Sequence, residues 1–170
     1  MWRILLPILL ANLLFGCANN EIPATKLEKA NVLPLALDDD FEFRKQKLSF
    51  YEPGLIQPTE SEAINFERKR LEHGAVDSIQ RRQRAGNYFS FFWRAKKQAD
   101  ITVRLEYRQT GLGNYVLAQE RYYPAAKGSY QTDFQITGDD YLEFGRVTSW
   151  RALLISDGKI VALTQSFIWR

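Results

Sequence analysis

The sequence predicts an all-β protein, an antiparallel β-sandwich of about seven strands, and three observations carry that prediction. Ile101, Val103, Leu105 and Tyr107 alternate with Thr102, Arg104, Glu106 and Arg108, the period of two that a strand buried on one face requires. Asp157 and Gly158 stand between two apolar runs and make a two-residue hairpin loop, because type I′ geometry needs positive φ at both positions. Beyond residue 75, turn signals recur every 8 to 15 residues and no long helical period intervenes.

Strands are expected near 76–83, 88–94, 100–109, 115–123, 130–137, 146–156 and 159–169. Tyr88, Phe89, Phe91, Phe92 and Trp93 give the second its density of β-favouring rings. After the third, a turn with Gly111 and Gly113 returns the chain, and Pro124 and Gly128 end the fourth. Tyr130, Thr132, Phe134 and Ile136 alternate through the fifth. A regular register in the last hairpin sets Leu154 opposite Val161, Ala152 opposite Leu163 and Thr148 opposite Phe167 on the bulkier, core-facing side.

Ahead of this body, residues 48–74 carry mixed signals. Pro53, Gly54 and Pro58 mark turns, and Thr59 with Glu62 has capping-box spacing. A short helix near 60–72 and an alternating strand through Ile64, Phe66 and Arg68 fit nearly equally well. Residues 17–47 hold Pro23, Pro34 and the run Asp38, Asp39, Asp40 with no lasting period, and so read as a tether. The division expected is residues 1–16 as an export signal, 17–47 as tether, 48–74 as an irregular or short-helix segment, and 75–170 as the sandwich.

Composition narrows the function. Across 170 residues, 23 Lys plus Arg against 20 Asp plus Glu is too even to imply nucleic acid. A single Cys excludes a disulfide scaffold, and one Cys with one His leaves almost nothing for a zinc or iron site. No cofactor is expected beyond a covalent lipid.

That lipid follows from the first residues. Arg3 supplies a positive start, Ile4 to Phe15 an apolar run, and Gly16 a small residue before Cys17. Leu14, Phe15, Gly16 and Cys17 resemble the lipobox of bacterial lipoproteins, with Phe15 departing from the small or β-branched residue usual there. The resemblance implies cleavage between Gly16 and Cys17 and diacylglyceryl transfer to the Cys17 thiol, with acylation of the new amino terminus. The run is too short to span a ~30 Å hydrocarbon core. Two or three acyl chains hold a protein at a bilayer, where one alone is marginal. The expected location is the cell envelope, and Ala18 resembles lipoproteins passed to the periplasmic face of the outer membrane in a two-membrane bacterium. The strand pattern over the last 95 or so residues is similar to immunoglobulin or fibronectin type III domains. Tyr141 is placed like a tyrosine-corner residue, but the cysteine pair of antibody domains is absent, which leaves the fibronectin-like variant or an unrelated sandwich.

Candidate chemistry is thin. His73 is the one general base available, in a polar stretch that suits a solvated loop. Asp38 to Asp40 lacks the spacing of a calcium loop. Arg68, Lys69, Arg70, Arg81, Arg82, Arg84, Arg94, Lys96 and Lys97 put nine positive charges into thirty residues. Of these, Arg81, Arg82, Arg84, Lys96 and Lys97 are the expected contacts to an anionic surface, with a solvated edge as the plainer reading. Trp93, Trp150, Trp169 and several tyrosines offer a sugar-binding platform or simply a core. The function expected is a non-catalytic binding or structural module partnered by another envelope protein; a carbohydrate-binding protein is the alternative, and an enzyme using His73 comes third.

Overall fold

Two long strands organise the molecule, whose computed structural model describes residues 22–27, 30–54 and 61–169. They are β3 (Gly86–Gln109) and β4 (Leu117–Thr137), joined by a short 3₁₀ turn at Thr110–Leu112. Around them lie β1 (Thr25–Leu27), β2 (Phe41–Tyr51), α1 (Glu62–Leu71), α2 (Ser78–Arg84), α3 (Asp139–Phe144), β5 (Val147–Ser156) and β6 (Lys159–Gln165). The fold is all-β and antiparallel, a sandwich made by folding one six-stranded sheet onto itself.

β3 and β4 pair from Gly86↔Thr137 to Tyr107↔Leu117, with register shifts between Ala95 and Ile101. On its other side β3 takes β2 along residues 86–95 and β5 along residues 102–109. β6 then extends β5, and β1 extends β4. The shifts therefore divide a short half of three strands from a broad half of five. Phe89, Phe91, Trp93 and Phe134 of the short half share one buried cluster with Val103, Leu105, Trp150 and Leu154 of the broad half. The ring of Phe91 lies 5.4 Å from that of Trp150, across the two layers.

The bend falls where the sequence places strand ends, near 95–99 and 124–128, but the chain bends there and continues. Ala125 and Gly128 take φ of 48° and 104°, and Pro124 has no amide to donate, so the pair twists sharply while most of its ladder survives. Among the described residues, six strands stand where seven are expected. At its start, Gly86 approaches β4 so closely that a Cβ would sit 2.1 Å from the Ile136 carbonyl.

Because β3 folds back, its two ends meet at one end of the body. The Val147 amide donates to Asn87 Oδ1 at 3.0 Å, and Gln109 Nε2 donates to the Asp140 and Gly145 carbonyls at 3.0 and 2.8 Å. This is the helix end, closed by α2 and α3. Tyr141, the expected corner residue, lies on α3 with its ring 5.7 Å from Phe50.

Several expectations are corrected. The strand expected at 76–83 is helix α2: Asp77 accepts from the Gln80 amide while the Gln80 side chain accepts from the Val76 amide, a reciprocal cap that starts a helix. Of the two readings of residues 60–72, the structure has the helix, α1, and not the strand. In the last hairpin Ser156↔Lys159 and Ile155↔Ile160 pair as expected, but a bulge then sets Leu154 opposite Ala162 and Ala152 opposite Thr164. That slip turns Leu163 outward, at 39% exposed, and Phe167 lies beyond β6 at 95% exposed. Trp150, Ala152 and Leu154 do face the core.

Residues read as tether also belong to the body. Phe41 of β2 is buried, and residues 30–38 form a belt across the outer face of the broad half. Asn31 accepts from Arg104 through its carbonyl, Leu33 packs on Leu153, Ile155 and Ile160, and Leu35 bridges Ile160. The Ala36 and Asp38 amides donate to the Ile160 and Val161 carbonyls at 2.9 and 3.0 Å.

Candidate functional site

Gly16 and Cys17 lie outside the described residues, so the expected cleavage and lipidation site has no geometry here. Among the described residues, no helix is long and apolar enough to cross a membrane. The remaining candidates fall at two ends and one face.

At the bend end, a cleft of about 450 Å³ lies between the β5–β6 turn, the bend of β3 and the turn before β2, with Asp38, Phe41, Lys97, Asp100, Ser156 and Lys159 in its wall. The acidic run forms a compact turn here: the Asp40 amide donates to Asp38 Oδ1 at 2.9 Å. Lys97 pairs with Asp38 at 2.6 Å and Asp40 at 3.1 Å, and Lys96 donates to the Asp39 carbonyl at 2.6 Å. Hydrogen bonding to Lys97, then to the Asp40 amide, holds the Asp38 carboxyl below its ordinary value. The Asp38 and Asp40 carboxylates are paired with Lys97, and among the described residues no group of histidine, cysteine and carboxylate side chains is arranged to hold a metal.

At the helix end, the ring of His73 stacks on Tyr88 with centroids 3.8 Å apart and meets Tyr51 edge-on at 5.8 Å. Its backbone φ is 52°, held by the Arg84 guanidinium, which donates to the His73 carbonyl. Burial, and then the Arg84 charge, lower the His73 pKa, which favours the neutral ring. Glu72 is buried against Arg81 Nε at 3.3 Å. His73 thus acts as a stacking element, with the nearby acid committed to an arginine.

The five expected cationic contacts do not form one patch. Arg81 and Arg84 are drawn inward at the helix end and Arg82 is exposed beside them. Lys96 and Lys97 sit at the bend, separated from them by the ten residues of the short half of β3, roughly 30 Å. Trp93, Trp150 and Trp169, the candidate sugar platform, are at most 8% exposed and serve as packing.

Sequence reasoning missed two arrangements. One is a ladder of charges beneath the belt: Arg104 pairs with Glu120 at 2.5 Å, and Glu106 takes Arg151 at 2.6 Å and Arg104 at 3.6 Å. Its signal was present in the alternation of Arg104 and Glu106, read there simply as a solvated face. The other is a groove of about 470 Å³ between α2 and α3, lined by Ile79, Arg82, Asp139 and Leu142. Ile79 and Leu142 are exposed on it, as is nearby Val76. No family model, curated protein or solved structure matches this chain.

Proposed function

We propose that this chain is a lipid-anchored protein of the bacterial envelope that works by binding another envelope protein, without catalysis. The observation that carries the reading is the placement of the chain's single cysteine, Cys17, directly after Leu14, Phe15 and Gly16 at the end of a short apolar run. An acylated Cys17 confines the body to a membrane surface. The groove between α2 and α3, in which the apolar side chains of Ile79 and Leu142 are exposed, supports protein recognition.

Two measurements test the proposal. Native protein recovered from membranes is expected to carry a diacylglyceryl-modified Cys17 by mass spectrometry, and Cys17→Ala to accumulate as uncut precursor or in the soluble fraction. An unmodified amino-terminal thiol sinks the anchor. A photocrosslinker at Ile79 is expected to give a discrete adduct with one envelope protein in intact cells, where the same crosslinker at Gln135 gives none; no adduct at Ile79 sinks the recognition surface.

A further inference from the structure

We infer that the bend end of the sandwich is the surface that faces the bilayer, with Tyr122 and Lys127 at the headgroup layer and the helix end turned away from it. This rests on the lipid-anchor reading and goes beyond it by fixing which face of the body meets the lipid. Cys17 and Ile22 are five residues apart. Whatever conformation the intervening residues take, that length spans at most about 18 Å. Ile22 is itself docked: its carbonyl accepts from the Arg121 guanidinium, and with Ala24 it packs against the core.

β1 then pairs with β4 from Thr25↔Glu120 to Leu27↔Ala118. Antiparallel register carries the residues before Thr25 toward Tyr122 and Pro124, which is toward the bend. An acylated Cys17 is therefore held near this end. The helix end lies in the opposite direction along β1, where the Lys26 ammonium pairs with Asp140 of α3.

The surface suits that position. Tyr122 is 50% exposed, with its hydroxyl hydrogen-bonded to Asp100, and Pro124, Ala125 and Lys127 are exposed beside it. A ring with a polar tip and a lysine with an apolar stem both bridge water and hydrocarbon. At this end Lys97 is paired with Asp38 and Asp40, while Lys96 donates to the Asp39 carbonyl, and the proposed orientation rests on the short tether.

The test uses the full-length protein purified with its lipid and reconstituted into vesicles of phosphatidylethanolamine and phosphatidylglycerol that carry a headgroup nitroxide. A fluorophore is attached through Ala125→Cys or through Gln83→Cys, the Cys17 thiol being occupied by lipid. Quenching is expected to be severalfold stronger at position 125 than at position 83. Equal quenching, or stronger quenching at 83, overturns the orientation. Flotation with the vesicles reads the anchor separately: protein that fails to float overturns the lipid reading and this inference together, whereas protein that floats with the reverse quenching order overturns the orientation alone.

Discussion

The short and broad halves of the sheet share β3 and β4 yet treat their outer faces in opposite ways. Outside the short half, Ser90, Phe92 and Arg94 meet solvent at least in part, and the free edge of β2 carries exposed Arg44, Lys45 and Lys47. Those charges keep the edge from pairing with another chain. Outside the broad half, Arg104, Glu106, Leu153 and Ile155 are all buried. The belt of residues 30–38 covers them from one side, and Trp169 lies over Arg108 and Arg151. A sheet with both faces covered needs partners for every outward charge, and the ladder through Glu106 supplies them.

The comparison can be broken most severely at the place where the halves meet. Phe91 touches Phe43, Phe89, Phe134 and Trp150 and is fully buried. Phe91→Ala is expected to lower unfolding stability by about 3 to 5 kcal/mol in urea denaturation, with one transition, since both halves lose the same ring. Two separate transitions would show that the halves are independent. Glu106→Gln leaves Arg104 and Arg151 without their shared carboxylate, and about 2 to 3 kcal/mol of destabilisation is expected. Asp133→Asn on the outer face of the short half, where the Asp133 carboxylate accepts from Gln131, should stay within about 0.5 kcal/mol. Equal effects at the two sites would erase the distinction.

Leu33→Ala tests the belt itself. A loss of roughly 1 kcal/mol is expected, with faster amide exchange at Ala36 and Asp38 than in the native chain. Unchanged exchange would mean the backbone bonds seat the belt without this side chain.

The smallest effect concerns pH at the helix end. His73 has a lowered pKa in the folded protein, so the unfolded chain takes up its proton first as pH falls. Stability is therefore highest above the unfolded value, near 6.5, and declines below it until the folded ring is protonated too. His73→Asn, which tolerates the same backbone conformation, should flatten that decline in melting temperature between neutral and mildly acid pH.

Much of the strand layout was readable because one buried face imposes alternation, and Ile101 to Arg108 show it plainly. The bend was hidden. Pro124 and Gly128 look like terminators, and nothing local distinguishes a strand that stops from one that turns a corner through unpaired residues. β2 was hidden for a related reason: its bulge between Phe43 and Lys45 breaks the period of two, and its edge position fills it with lysine. The belt has no period at all, because its residues answer to Ile160 and Arg104, more than seventy positions away. α2 is legible in the sequence, since Asp77 and Gln80 carry the same capping spacing as Thr59 and Glu62.

The belt joins an early described stretch to the last described strand. Residues 30–38 are synthesised more than a hundred positions ahead of Leu153, Ile155 and Ile160, on which the belt is seated. Contacts so distant along the chain form slowly. The belt therefore settles after the local strand pairs, and Val32, Leu35 and Leu37, exposed even after docking, stay open to solvent throughout that interval.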